Sequence, residues 1–226
     1  MQSDPVCPAP IRLGILLSGR GSNFLAIDKS IRSGMLPGVE IAIVISNVAD
    51  SPGFAMAREL GLPTRQFISR GRTRSEHDAE IITCLKAHRV DLVCLAGYMR
   101  LLTPEFIAAF PNRILNIHPA LLPAFPGLDA QAKALEYGVK FSGCTVHFVD
   151  EQTDHGVIVL QRMVPVSDND DVHTLAERIL AEEHKAYTEA IRRVVSGDYE
   201  IRGRRFVMQG PREQGTKGQR DQGAGD

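Results

Sequence analysis

Along this chain, short apolar runs alternate with segments whose apolar residues recur every three or four positions. Ile11 to Leu17, Val39 to Ile45, Asp91 to Leu95 and Ile114 to Ile117 are runs dominated by Ile, Leu and Val. Strands of this kind are hydrophobic on both faces and need cover on both. Between them, Asn23 to Ser33, Pro52 to Leu60 and Arg74 to His88 predict helices. The first ends at Gly34, the second at Gly61, and the third carries a stripe at Ile81, Ile82 and Leu85. Pro63 to Ile68 is a weaker strand. Such alternation predicts βαβ units and a parallel sheet of the α/β class, covered on both faces.

The second half reads differently. Phe141 to Val149 and Val157 to Pro165 are strands joined by the polar segment Asp150 to Gly156, which predicts a hairpin and therefore a mixed sheet. A long helix follows over about Val172 to Val195, with a stripe at Val172, Ala176, Ile179, Glu183, Ala186, Ala190 and Val194. Past about Gly210 the chain is rich in Gln, Gly, Lys and Arg without apolar periodicity. Residues 1–10 and 210–226 are expected to be disordered tails.

Composition narrows the classes. At 226 residues and 43% hydrophobic content, the chain can build one core but not two large domains. A net charge of −1 gives no reason to expect nucleic acid or an anionic membrane as partner. No apolar run approaches the ~18–20 residues of a membrane span, and the N-terminus lacks the basic start and apolar core of a signal peptide. The four cysteines, Cys7, Cys84, Cys94 and Cys144, are far apart without a C-x-x-C pair. They are expected to be reduced thiols in a cytoplasmic protein, with Cys94 and Cys144 acting as small core hydrophobes.

Four constellations carry candidate chemistry. Ser18-Gly19-Arg20-Gly21-Ser22-Asn23 follows the first strand and opens the first helix. Glycines there admit a ligand close to the backbone, and free N–H groups at a helix start attract an anion. The loop is neither G-x-G-x-x-G nor a P-loop, so it points to a phosphate without naming a nucleotide; a plain strand–helix turn with Ser22 as N-cap is the alternative. Asn116 and His118 lie two apart on one strand, so they share a face at its carboxyl end. They pair a neutral amide donor with a group that titrates near neutrality, which suits chemistry at a carbonyl carbon. A buried histidine satisfied by backbone is the plainer reading. Asp154 sits in the hairpin loop, where a carboxylate near His118 would raise the imidazole's pKa and orient it; Asp150 and Glu151 share that loop, and spacing does not choose among the three. Glu183 puts a carboxylate on an apolar stripe, which demands a structural ion pair or a ligand amine.

The remaining histidines carry less: His77, His88 and His173 are expected on polar helical surfaces, His155 on the loop surface, and His147 as a core residue or a support for the site. No metal spacing such as H-E-x-x-H and no G-x-S-x-G elbow appears, so neither a metal site nor a serine triad is expected.

Taken together, Leu16-Leu17-Ser18-Gly19-Arg20-Gly21-Ser22-Asn23, Leu95-Ala96-Gly97-Tyr98-Met99-Arg100-Leu101-Leu102, Asn116-Ile117-His118-Pro119-Ala120-Leu121-Leu122-Pro123 and Gly143 to Val149 leading to Asp154 resemble the phosphoribosylglycinamide formyltransferase family, within the formyltransferase superfamily. The resemblance spans about Ile11 to Val207. It implies a Rossmann-like three-layer fold in a single domain over 11–207, with the N-terminal half holding the phosphoribosyl substrate and the C-terminal half the folate. It also implies transfer of a formyl group from 10-formyltetrahydrofolate to the primary amine of glycinamide ribonucleotide, without a metal, by a monomer or homodimer. By motif, Asn116, His118 and Asp154 match the catalytic three; Gly21, Ser22 and Asn23 match the phosphate loop; and Glu183 matches the acid that meets the glycinamide. Arg74, Met99, Arg100, Leu101, Leu102, Asn116, Val149 and Asp150 match the folate pocket. The chain departs from the family pattern at Ala120, where a serine is common, at Asp129, and at Leu180, where some members carry a polar residue near the phosphate.

On that resemblance, Asn116 donates to the oxyanion, His118 acts as an imidazolium that hands a proton to the leaving nitrogen, and Asp154 keeps it charged and positions a water. Three rival activities fit the chain less well. A formyltetrahydrofolate hydrolase uses the same three residues but carries an N-terminal regulatory domain, for which a first strand near Ile11 leaves no room. A methionyl-tRNA formyltransferase needs a basic C-terminal domain, whereas Arg202, Arg204 and Arg205 read as a solvated face. A non-catalytic folate or sugar-phosphate binder has no use for Asn116, His118 and Asp154 together.

Overall fold

A computed structural model describes residues 9–209. Strands and helices alternate through β1 (Ile11–Leu17), α1 (Ser22–Arg32), β2 (Val39–Ser46), α2 (Pro52–Glu59), β3 (Thr64–Gln66), α3 (Arg74–Ala87), β4 (Leu92–Leu95), α4 (Pro104–Ala109) and β5 (Ile114–His118). Then come α5 (Ala130–Tyr137), β6 (Phe141–Phe148), β7 (Ile158–Pro165), α6 (Val172–Val195), β8 (Tyr199–Arg202) and β9 (Arg205–Met208). The strands form one sheet in the order β3-β2-β1-β4-β5-β6-β7-β9-β8. Pairing is parallel from β3 to β5 and antiparallel from β5 through β6 to β7. The expected mixed α/β sheet is therefore present. Ala9 and Pro10 are exposed coil leading into β1; the rest of the expected tails, residues 1–8 and 210–226, lies outside the described residues.

The apolar runs divide between two cores, as strands covered on both faces require. Leu13, Ile15 and Leu17 of β1, Leu115 and Ile117 of β5, and Cys144, Val146 and Phe148 of β6 share a cluster with α1 and α6. Leu16, Ile43, Val93, Leu95 and Ile114 face the other way, onto Ile81 and Leu85 of α3 and Phe106 of α4. Beyond Ile114, the residues of β5 that share its face, Asn116 and His118, are not in that second core. The packing helix for β6 and β7 is α6, on the first face. The second face of β5 and β6 is thus left to polar side chains and loops.

Several expectations need correction. The short helix α4 lies in a stretch for which the apolar pattern predicts no element; Pro104 at its start and Thr103, whose Oγ1 accepts the Phe106 N–H at 3.3 Å, begin it, and Phe106 is its one buried residue. Helix α5 buries only Ala130 and Ala134, too faint a stripe to see in the sequence. The hairpin β8–β9 was obscured by its arginines; Tyr199 and Phe206 stack on each other with centroids 4.5 Å apart and both lie against Phe148. In α6 the stripe is rotated from the expected one: Val172 is exposed, and the buried face is Leu175, Ile179, Glu183, Ala186, Tyr187, Ala190 and Ile191. His77 is not on a polar surface. It is 0% exposed, with Nε2 donating to the Phe67 carbonyl at 2.8 Å beside the equally buried Asp78. A histidine whose donor has a backbone acceptor can be buried at little cost, and no residue-type rule reports that partner.

From β1 the chain runs outward through β2 and β3, then returns to place β4 on the opposite side of β1. Doubly wound sheets open a crevice at such a reversal, beyond the carboxyl ends of the strands. The loops after β1, β4 and β5 all leave from that edge.

Candidate active site

Across the β5–β6 ladder, Asn116 is paired with His147 and His118 with Thr145. Opposed residues in an antiparallel pair point to the same face, so four polar side chains converge there. Asp154 joins them from the β6–β7 loop. One carboxylate oxygen lies 3.3 Å from His118 Nδ1 and the other 3.7 Å from His147 Nε2. Asp154 holds φ 51, a left-handed conformation unusual outside glycine, and accepts the Gly127 N–H at 2.8 Å. Of the three acidic residues in the loop, Asp154 is the one at His118. Asp150 instead accepts from His155 Nδ1 at 2.8 Å and from the Gln152 N–H at 3.0 Å, and Glu151 is exposed.

The ring nitrogens are assigned by their partners. His118 Nε2 lies 2.8 Å from the Phe125 carbonyl, which only accepts, so Nε2 carries a hydrogen and Nδ1 is the nitrogen left to exchange a proton. His147 Nδ1 likewise donates to the Phe148 carbonyl at 2.8 Å, leaving Nε2 to accept from the Asn116 amide at 3.2 Å. One of the two hydrogens on the Asn116 amide is thereby engaged and the other is free. His147 is both a buried, backbone-satisfied residue and part of this site.

The electrostatics correct one expectation. Burial of His118, 4% exposed, pushes its pKa below the usual 6.5; the Asp154 charge and the Phe125 carbonyl act upward but do not prevail. The imidazole thus rests neutral near pH 7 instead of standing as a fixed cation. Burial also works to raise Asp154, yet the His147 contact, which becomes a hydrogen bond when that ring is protonated, the Gly127 N–H, and the positive charge either imidazole gains on protonation hold the carboxyl below the ordinary range, so it is ionised.

The segment after β5 is held from β6 and β7. Thr145 Oγ1 donates to the Ala120 carbonyl at 2.7 Å and accepts the Leu122 N–H at 3.0 Å, while the Gln161 amide donates to the Leu122 carbonyl at 2.8 Å. Backbone and cross-strand side chains do this work, so Ala120 needs no hydroxyl for the loop to be fixed.

At the other end of the crevice, Gly21 is the N-cap of α1, with φ 74. Ser22 is the first helical residue, not the cap. A glycine has no side chain to cap with, so the first-turn N–H groups stay available to an anion. A Cβ on Gly21 would lie 2.7 Å from the Cα of Gly53, whose N–H donates to the Gly19 carbonyl at 3.0 Å. Asn23, the next residue of α1, donates its amide to Glu183 Oε2 at 2.8 Å, and its own Oδ1 is buried without a partner. Glu183 is 7% exposed; burial raises its pKa and the Asn23 hydrogen bond opposes that rise. Its partner is an amide, not the cation a structural ion pair would supply.

After β4, Met99 and Leu101 stand 71% and 57% exposed beside the buried Tyr98, whose hydroxyl has no partner. Arg100 donates from Nη2 to the Arg72 carbonyl at 3.1 Å, while its Nε is buried and unpartnered. Leu102 packs into the second core, and the Val149 N–H donates to the Ile114 carbonyl at 2.9 Å. Arg74 begins α3 as an exposed residue. Arg204, in the turn of the β8–β9 hairpin and expected on a solvated face, also holds the Asp154 loop: it donates to the His155 carbonyl and places Nη1 3.0 Å from His155 Nε2. Among the described residues, no three His, Cys, Asp or Glu side chains gather as metal ligands would.

Comparison with known proteins matches residues 11–191 to the formyl transferase family. The trifunctional purine biosynthetic protein adenosine-3 of Chironomus tentans is 44% identical over 190 residues, which is 82% of this chain and 14% of that protein. The chain therefore spans a small part of the length of such relatives. The phosphoribosylglycinamide formyltransferase of Haemophilus influenzae is 37% identical over 200 residues, 88% of this chain and 94% of that one. Among solved structures, glycinamide ribonucleotide transformylase 1 from Symbiobacterium toebii superposes with a TM-score of 0.87 at 50% identity, covering 90% of this chain and 96% of that one.

Proposed function

The chain belongs to the formyl transferase family, and on that premise we propose that it moves the formyl group of 10-formyltetrahydrofolate onto the primary amine of glycinamide ribonucleotide. The observation that carries this reading is the meeting of Asp154, His118, His147 and Asn116 on one sheet face. Residues 11–207 act as one unit, with the phosphate on the α1 side and the folate on the β4–β6 side. The N–H groups of Gly21, Ser22 and Asn23 hold the phosphate, and Glu183 receives the glycinamide. Met99 and Leu101 offer an apolar surface to a flat heteroaromatic ring, flanked by Arg100, Leu102, Val149, Asp150 and Arg74.

The amine attacks the formyl carbon, forming the new C–N bond and leaving charge on the formyl oxygen. The free hydrogen of the Asn116 amide donates to that oxygen; one such donor is worth ~2.7–4 kcal/mol of barrier. His118, neutral at rest, takes the proton of the new ammonium at Nδ1. It then delivers the proton to the folate nitrogen as that C–N bond breaks and the carbonyl reforms. Proton transfer of this kind contributes ~10²–10⁴ in rate. Asp154, 3.3 Å away, stabilises the imidazolium that exists between the two transfers. Holding both reactants in one cleft supplies much of the remainder.

Incubation with 10-formyltetrahydrofolate, with and without glycinamide ribonucleotide, tests the assignment by following folate deformylation. Loss that depends on the amine is expected. Loss without the amine would make the chain a hydrolase, and no loss in either arm would make it a binder.

A further inference from the structure

We propose that Ser18 is a positioning residue that fixes the spacing between the phosphate loop and the folate loop across the crevice. The proposal rests on the functional reading above for the names of the two ligands, but not for the bridge itself.

Ser18 follows β1 directly, at the reversal of strand order. Its backbone N–H donates to the Gly97 carbonyl at 3.0 Å. Its hydroxyl accepts the Met99 N–H at 2.8 Å and donates its one hydrogen to Asn47 Oδ1 at 2.6 Å. Asn47, 5% exposed just past β2, donates in turn to Ser69 Oγ at 3.1 Å. A single hydroxyl thus ties together the carboxyl ends of β2, β1 and β4, with a direct bond at both sides of the crevice. The loop on one side runs on to Gly21, Ser22 and Asn23; the loop on the other holds Met99, Arg100 and Leu101. Phosphate binding bears on Ser18 through the backbone that runs on from it, and ring binding through the Met99 N–H on its hydroxyl, so each ligand orders the backbone that the other needs. Such coupling is reciprocal.

Ser18→Ala removes the acceptor of Met99 and the donor to a buried amide oxygen while adding no bulk; Ser18→Thr keeps the hydroxyl. In the free chain, hydrogen exchange followed by mass spectrometry should show faster exchange over residues 97–102 in Ser18→Ala, with wild-type protection in Ser18→Thr. In steady-state kinetics, Ser18→Ala should raise KM for both substrates several-fold and lower kcat about tenfold. Unchanged exchange at 97–102 would overturn the bridge. So would a rise in KM for the phosphate-bearing substrate alone, or a lowered melting temperature with both KM values intact. If the wild-type chain shows no amine-dependent transfer, the functional reading falls, and the exchange measurement still decides the bridge because it needs no ligand.

Discussion

The side-chain amide of Asn116 donates to His147 Nε2, 3.2 Å away, directly across the β5–β6 ladder. That bond fixes which way the amide faces and leaves its second hydrogen free, which the proposed transfer uses at the formyl oxygen. His147→Leu should therefore lower kcat about tenfold, matching ~1.4 kcal/mol of barrier, while KM for both substrates moves less than twofold. Unchanged turnover in initial-rate assays would show that Asn116 is oriented by something else.

His118 should titrate below 6.5, because burial outweighs the carboxylate beside it. Since Asp154 acts upward on this pKa, Asp154→Asn should shift the ring's titration to still lower pH, and activity should fall nearly to background. NMR titration of the His118 ring checks the direction in both forms; an upward shift in Asp154→Asn would contradict the arrangement.

Glu183 has the opposite sign. Its carboxyl is held above the usual 4.5, mainly by burial. A group raised in the fold contributes its stability below the unfolded pKa and loses it as pH climbs through the folded value. At neutral pH the burial of this carboxyl therefore works against folding. Glu183→Gln should raise the melting temperature at pH 7.5, by about 2–4 °C per kcal/mol relieved, with the gain vanishing below pH ~4.5. KM for the amine substrate should rise in the same variant. Melting curves at the two pH values and initial rates decide the matter together.

Gly156 closes the loop that carries Asp154. A Cβ there would meet the Phe148 carbonyl oxygen at 1.8 Å, and backbone cannot step aside as a flexible side chain can. Gly156→Ala should cost on the order of 1–3 kcal/mol and lower kcat disproportionately, since the shift displaces Asp154. Thermal melting with parallel kinetics would expose a silent substitution.

Arg204 braces the same loop from outside through the His155 carbonyl and ring. The contact is exposed, so its contribution to stability is small. Arg204→Ala should lower the melting temperature by at most about 4 °C, from the ~0–1 kcal/mol range of surface pairs, yet raise KM for the folate about two- to fivefold. Equal KM values would remove Arg204 from any role in the site.

How far the chain could be read in advance depended on where its information lay. The strands β1, β2 and β4 were legible because both faces are buried, which leaves a nearly continuous apolar run. Asn116 and His118 were legible because two residues on one strand share a face whatever the tertiary structure. The neutrality of His118 was not, since it depends on how much protein closes over the ring and not on its carboxylate neighbour alone. His77 was misplaced for a related reason: the Phe67 carbonyl that satisfies it lies on a neighbouring segment. Arg204 reaches His155 from 49 positions away, a partnership that exists only after the last hairpin folds back.

The sheet's outermost strands have a consequence for handling the protein. At one margin β3 spans only Thr64–Gln66, with Arg65 at its centre; at the other, β8 carries Glu200 and Arg202. Short, charged margins of this kind resist pairing with a neighbour's backbone. Between them β7 is sheltered by β9 only at Ile158, and its remaining rim ends in Pro165, with Arg162 tied to Glu182 and Glu189. Cutting the chain after Val195 would strip away that shelter together with the aromatic stack on Phe148. The shortened protein should aggregate on concentration more readily than the longer one, so expression should retain everything through Met208.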